Sequence, residues 1–85
     1  MRVVVADDAV LLREGLVRVL AEDGYQVAAA VGTGPDLVRA ARAHLPDLVI
    51  ADVRMPPTHS DDGIVAVREI RRRVKAVIAY LSADS

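Results

Sequence analysis

The sequence predicts an α/β domain built on an open parallel sheet. Short runs of consecutive apolar residues alternate along the chain with segments whose apolar residues recur at helical spacing. Runs without polar alternation are typical of strands that are buried on both faces of a parallel sheet. Strands that alternate with helices are joined by right-handed crossovers, so we expect the order βαβαβαβ in a single domain over residues 1–85.

Composition narrows the class of protein. A chain of 85 residues is one small domain. Its hydrophobic content of 53% and its low net charge exclude a disordered protein. The net charge of −1 also excludes a strongly basic nucleic-acid binder. The absence of cysteine excludes disulfides and thiolate metal sites. No apolar run approaches the about 18 residues of a membrane span or the core of a signal peptide, so we expect a cytoplasmic protein.

The first strand and helix are predicted from residues 3–22. Residues 3–6 form an apolar run that Asp7 and Asp8 end, and either acid suits the cap of the helix predicted over residues 9–22. Gly24 is expected to end that helix. The apolar residues at helical spacing that mark its buried face are Leu12, Leu16, Val19 and Leu20.

A second strand is predicted over residues 25–31, and residues 32–36 form a turn into the second helix. Pro46 is expected to end that helix, and residues 47–52 form the third strand. The buried face of the second helix is marked by Leu37, Val38, Ala41 and Leu45.

The remaining sequence predicts one more helix and strand. Residues 53–63 form a loop, and residues 76–81 form the fourth strand. The third helix is marked by Ile64, Val67, Ile70 and Val74. His44 and His59 have no partner at the spacing of metal ligands, so we interpret both as surface residues.

Acidic side chains follow two of the predicted strands. Asp7 and Asp8 follow the first strand, and Asp52 ends the third. If these strands are neighbours, three carboxylates converge at the carboxyl edge of the sheet, and oxygen ligands of this kind suit Mg²⁺. Taken singly, each acid also suits a helix cap or a turn, and Asp8 suits both cap and ligand. Ser82, which follows the fourth strand, could hydrogen-bond a phosphoryl oxygen beside such a pocket, although a lone serine indicates little.

Four segments together carry a family resemblance. They are residues 3–8 (VVVADD), 46–56 (PDLVIADVRMP), 62–63 (DG) and 80–83 (YLSA). With these segments the sequence resembles the receiver domain of bacterial two-component response regulators over essentially all 85 residues. The loop over residues 55–63 most resembles regulators with a LuxR-type helix-turn-helix output.

The resemblance implies specific roles at the acidic edge. Asp52 would be the phospho-acceptor, taking a phosphoryl group from a phosphohistidine of a sensor histidine kinase, so the chain would not be an enzyme in the ordinary sense. Mg²⁺ would be bound by Asp8 directly, by Asp7 through water, by the carboxylate of Asp52 and by the backbone carbonyl of Arg54.

Three roles concern the phosphoryl group itself. Ser82 would be the switch hydroxyl, and Ala83 would donate its backbone N–H to a phosphoryl oxygen. The side chain of Arg54 would lie at the mouth of the pocket, where it either tunes the lifetime of the phosphoryl group or is simply solvated.

The resemblance also implies a flavodoxin-like topology with strand order 2-1-3-4-5, of which this sequence supplies four strands. The family's fourth helix, fifth strand and fifth helix are missing, together with the lysine that ends the fifth strand. Lys75, the only lysine, lies at the opposite edge of the sheet. We therefore expect a truncated domain without DNA binding of its own. Its open fourth strand and uncovered faces would drive formation of a homodimer or higher oligomer.

Two functions remain open at this point. The first is a phospho-accepting module of two-component signal transduction. The second is a switching-defective receiver that acts as an oligomerisation or interaction module, which the missing lysine favours. A Rossmann-like nucleotide binder is disfavoured because the first turn lacks the glycine fingerprint.

Overall fold

The computed structural model describes residues 1–52, 68 and 75–80. Its helices and strands are β1 (Arg2–Ala6), α1 (Val10–Glu22), β2 (Gln26–Val31), α2 (Gly34–His44), β3 (Leu48–Asp52) and β4 (Ala76–Tyr80). The predicted α/β architecture is confirmed. The loop and third helix predicted between β3 and β4 fall almost wholly outside the described residues.

The four described strands form one parallel sheet in the order β2-β1-β3-β4. This order matches the first four strands of the expected topology. The chain leaves β1 towards β2 on one side and then returns past β1 to β3 on the other. Right-handed crossovers in opposite directions place α1 and α2 on opposite faces of the sheet.

The central strand β1 is buried on both faces. Residues 3–6 are fully inaccessible to solvent, as the continuous apolar run predicted. On one face Val4 and Ala6 pack in a core with Leu37 of α2 and Val49 of β3. The opposite face carries Val3 and Val5, on the side where α1 lies across β1 and β2.

The buried face predicted for α1 is only half correct. Leu16 and Leu20 are half-buried, but Leu12 and Val19 are 43% and 65% exposed, and α1 contains no buried residue. The helix contacts β1 and β2. The half-buried positions of α1 are Arg13, Leu16, Val17 and Leu20, which recur at helical spacing, so Leu12 and Val19 lie to the side of this face.

The ends of α1 differ in how well they were predicted. Gly24 has φ +92°, and its N–H donates to the Ala21 carbonyl while the Tyr25 N–H donates to the Leu20 carbonyl, which is a Schellman motif. At the other end the prediction that Asp7 or Asp8 caps the helix was wrong. The N-cap is Ala9, without a side-chain cap hydrogen bond. The acids lie before the cap position, because β1 runs on until residue 6.

Helix α2 begins at a polar cap and ends at an unusual residue. The Thr33 hydroxyl accepts a hydrogen bond from the Asp36 N–H, and Pro35 lies in the first turn. The helix ends at His44, and Leu45 adopts the left-handed conformation with φ 48° and ψ 59°. Leu45 was expected on the buried face but is 65% exposed. Because Pro46 disfavours a right-handed helical residue before it, Leu45 leaves the helix and its apolar row.

Neither described helix combines the length and apolar character that crossing a bilayer requires.

Candidate functional site

The three acidic residues meet at the carboxyl edge of the sheet. Asp7 directly follows β1, and Asp52 is the last residue of β3. These strands are neighbours, with Ala6 paired to Ala51, so Asp7 and Asp52 leave the sheet side by side. Asp8 follows on the same turn. The convergence that the sequence predicted for these carboxylates is therefore present.

The cluster is tight and largely buried. One carboxylate oxygen from each of Asp7, Asp8 and Asp52 lies within 4.8 Å of the corresponding oxygens of the other two. Asp7 and Asp52 are fully buried, whereas Asp8 is half-buried. Three negative charges at this separation repel one another, and that repulsion is strongest where solvent is excluded. Asp8 faces the solvent side of the cluster, so a ligand would approach from there.

The backbone of the Asp7 turn is held by neighbours on three sides. The Asp7 N–H donates to the Val31 carbonyl of β2 at 3.0 Å. The Ala9 N–H donates to Asp7 Oδ1 at 2.7 Å, an Asx-type turn. Arg13 Nη1 donates to the Asp7 carbonyl at 2.9 Å. These contacts fix both the direction of the Asp7 carboxylate and the path of the chain into Asp8.

The donor set fits a magnesium ion. Mg²⁺ takes oxygen ligands at about 2.0–2.1 Å in an octahedron, so two ligand oxygens lie about 3 Å apart when adjacent and about 4.2 Å apart when opposite. The limit of 4.8 Å between the carboxylate oxygens is close to these values. Carboxylates at such separations could hold the ion, directly or through a water ligand.

Other predicted site residues are not described. Arg54, Ser82 and Ala83 lie outside the described residues, as does His59. His44 was interpreted as a surface residue. It is half-buried at the end of α2, where its Nδ1 lies 3.5 Å from Arg2 Nη2.

The amino edge of the sheet carries a different group of charges. Asp47 Oδ2 accepts the Arg2 backbone N–H at 3.0 Å, and Asp47 Oδ1 lies 3.6 Å from Lys75 Nζ. The Arg2 hydrogen bond, helped by the positive charge of Lys75, lowers the pKa of the Asp47 carboxyl below its ordinary value. This acid thus has a backbone N–H donor and a positive partner, Lys75, at the edge that faces away from the acidic cluster.

Sequence reasoning missed two residues beside the cluster, Arg13 and Gly32. Arg13 lies in the first turns of α1, and Gly32 follows β2 at the same edge of the sheet as Asp7. The position of Gly32 after a strand next to β1 was the available signal. The sequence alone could not show that an arginine side chain fills the space beside it.

Comparisons with known proteins add the family context. A family model described as the response regulator receiver domain matches residues 3–85. The transcriptional regulatory protein PdtaR of Mycobacterium tuberculosis strain H37Rv is 43% identical over 84 residues, which cover 99% of this chain and 40% of PdtaR. The chemotaxis protein CheY of Bacillus subtilis is 35% identical over 71 residues, which cover 84% of this chain and 57% of CheY.

Solved structures are similar as well. The signal receiver domain of NarL from Mycobacterium tuberculosis has a TM-score of 0.74 and 36% identity, covering 92% of this chain and 64% of that one. PhyR from Brucella abortus has a TM-score of 0.82 and covers 92% of this chain and 32% of PhyR, and at 23% identity this likeness concerns the fold. The chain spans less than two thirds of the length of each of these four proteins.

Proposed function

Because the chain belongs to the response regulator receiver family, we propose that Asp52 is its phospho-acceptor and that Asp7 and Asp8 hold the magnesium ion that phosphorylation requires. Receiver domains are the phosphoryl-accepting modules of two-component systems and bind Mg²⁺ through acidic residues. The observation that carries the assignment is the placement of three carboxylates within 4.8 Å at the carboxyl edge of β1 and β3.

Asp52 has the position that a nucleophile needs. It ends β3, is buried, and its carboxylate belongs to the cluster with Asp7 and Asp8. A carboxylate oxygen of Asp52 attacks the phosphorus of a phosphohistidine on a sensor histidine kinase. The O–P bond forms as the P–N bond breaks, and the histidine nitrogen keeps the electron pair and takes up a proton.

The other two acids prepare the site for that step. Asp7 and Asp8 contribute oxygen ligands, Asp8 directly and Asp7 through water. Bound there, Mg²⁺ would neutralise the charge that accumulates between the carboxylates and the phosphoryl oxygens. The Asx-type turn, in which Asp7 Oδ1 accepts the Ala9 N–H, fixes the orientation of the Asp7 carboxylate.

Further assignments extend to residues beyond the described part of the chain. The Arg54 carbonyl is the backbone ligand of the ion, Ser82 is the switch hydroxyl, and the Ala83 N–H binds a phosphoryl oxygen. These assignments depend on the match of residues 46–56 and 80–83 to the receiver pattern. The loop over residues 55–63 supports a regulator of the LuxR-type subgroup.

Phosphorylation with a small-molecule donor tests the proposal. The chain is incubated with acetyl phosphate, with Mg²⁺ or with EDTA, and the phosphorylated fraction is measured by intact mass and by a phosphate-affinity gel. We expect Mg²⁺-dependent labelling that hydroxylamine removes, as an acyl phosphate requires, and no labelling of Asp52→Asn. Glu22→Gln is the control, because Glu22 is exposed at the far end of α1. Labelling that persists in Asp52→Asn would refute the assignment.

A second candidate function is self-association. Large apolar side chains are exposed on α1 and β4, among them Leu11 at 84%, Val19 at 65% and Ile78 at 52%. Exposed apolar surface of this kind is typical of interaction sites, and a second copy of the chain is the partner that we propose. Sedimentation velocity across a concentration series should show a dimer that Leu11→Lys weakens and Asp52→Ala does not. A monomer at every concentration would exclude this function.

A further inference from the structure

The guanidinium of Arg13 is attached to the turn that carries the acidic cluster. Arg13 Nη1 donates to the Asp7 carbonyl at 2.9 Å, and the Arg13 N–H donates to the Ala9 carbonyl at 2.9 Å. The side chain therefore bridges the start of α1 back to the end of β1, across the residues from which two of the three carboxylates extend. A hydrogen bond from a charged donor is among the stronger ones available to a main-chain carbonyl.

The space for that guanidinium exists because residue 32 is glycine. A Cβ atom on Gly32 would lie 2.8 Å from Arg13 Nη1, so the guanidinium, at the end of a flexible side chain, would have to shift, whereas the Asp7 carbonyl oxygen at 3.8 Å and Asp8 Cα at 4.0 Å would be at ordinary distances. The backbone of Gly32 is not in the left-handed region, so its conformation does not require glycine. Glycine at position 32 therefore leaves space for the Arg13 guanidinium and is not required by the backbone conformation.

We propose that Arg13 is a positioning residue for the acidic cluster, and that Gly32 provides the space that its guanidinium occupies. The pair holds the Asp7 carbonyl, and with it the turn into Asp8, in the arrangement that binds Mg²⁺. The inference rests on the proposed function, since it concerns the ion that Asp7 and Asp8 hold. Residues that orient metal ligands typically contribute 10- to 100-fold in affinity, as an order of magnitude.

The positive charge of Arg13 and its positioning of the Asp7 turn should have opposite effects on the affinity for Mg²⁺, so variants can separate them. A cation beside the cluster repels Mg²⁺, so if its charge dominated, Arg13→Met would bind the ion more tightly than the native chain. If position dominates, Arg13→Met binds more weakly. Gly32→Ala separates the two effects, because it displaces the guanidinium and keeps its charge. Arg13→Lys keeps the charge and one donor, so it should restore part of the loss.

The measurements are Mg²⁺ titration and amide hydrogen exchange on the whole chain. Titration by calorimetry should show about tenfold weaker Mg²⁺ binding in Arg13→Met and in Gly32→Ala, with a smaller loss in Arg13→Lys. In EDTA, exchange of the Ala9 amide, which is bonded to Asp7 Oδ1, should accelerate about tenfold in the same two variants. Arg18→Met, an equal change of charge at an exposed position farther along α1, is the matched control and should leave both readouts unchanged.

The double variant gives the sharpest test. If Gly32 acts only by seating Arg13, then Gly32→Ala changes nothing further in an Arg13→Met background, and the two losses are not additive. Additive losses, or unchanged or tighter Mg²⁺ binding in Arg13→Met, would overturn the inference. If the native chain binds no Mg²⁺, the proposed function fails. In that case the positioning role of Arg13 is tested by hydrogen exchange of the Ala9 amide in EDTA. Unchanged exchange rates in both Arg13→Met and Gly32→Ala would refute it.

Discussion

Asp52→Asn should stabilise the metal-free protein, although it removes the proposed phospho-acceptor. The substitution keeps the size of the side chain and removes one of three clustered charges. The three oxygens lie within 4.8 Å of one another, and at 4.8 Å a pair of charges repels by about 0.9 kcal/mol in bulk water and about 3.5 kcal/mol at the effective dielectric constant of about 20 that suits protein sites. Asp52 is buried, but Asp8 is half-buried, so the solvent at Asp8 screens part of the repulsion. We therefore expect the free energy of unfolding to rise by about 1–3 kcal/mol.

Urea unfolding in EDTA, followed by far-ultraviolet circular dichroism, measures this gain. The same titration with saturating Mg²⁺ should reverse the ranking, because the native chain gains about 2.7 kcal/mol at an ion concentration of 100 times its Kd. Asp52→Asn should gain much less, having lost one of the carboxylates. Asp23→Asn is the control, since Asp23 is an exposed acid at the other end of α1. Equal or lower stability of Asp52→Asn in EDTA, with an unaltered response to Mg²⁺, would refute the electrostatic reasoning.

Three further predictions concern the scaffold. Leu37→Ala should lower the free energy of unfolding by about 2–5 kcal/mol in urea, because Leu37 is fully buried. Glu14→Ala, at an exposed position of α1, should change it by less than about 0.5 kcal/mol, and equal effects would contradict the core as described. Leu45→Gly should raise the thermal midpoint, with a gain of about 1 kcal/mol, since φ 48° strains any residue with a Cβ; Leu45→Ala should show no such gain, and a similar gain in both would point to apolar exposure instead. The lowered pKa of Asp47 means that its stabilising contacts are present above its ordinary pKa of 3.8 and are lost as the pH falls through the lower folded value. Thermal midpoints measured from about pH 7 to pH 3 should therefore fall less in Asp47→Asn than in the native chain, and parallel curves would show that the charge of Asp47 contributes nothing to stability in this range.

The sheet was predictable because its signal is carried by consecutive apolar residues. The run over residues 3–6 could only be a strand covered on both faces, and acids at the ends of β1 and β3 had to meet once those strands were neighbours. The neighbour relation itself came from the family resemblance. Nothing in the periodicity of the sequence specifies which strands pair.

The details that escaped prediction depend on tertiary contacts. Helical spacing placed Val19 on the buried face of α1, but the helix lies over β1 and β2 and leaves that position in solvent. The acids that seemed suited to cap α1 instead belong to the turn before Ala9. The contact between Arg13 and Gly32 joins residues 19 positions apart, and no local sequence pattern predicts such a contact.

The strand order has a consequence for how the protein is made. The central strand β1 is synthesised before both of its partners, and β3, which completes one side of it, follows about 42 residues later. At about 5–20 residues per second, the ribosome supplies β3 roughly 2 to 8 s after β1. During that interval a strand whose residues 3–6 are fully buried in the folded protein has no partner on one edge. A nascent chain released or stalled in this window would expose β1 to chaperones or to another chain, well before Asp7 and Asp52 could meet.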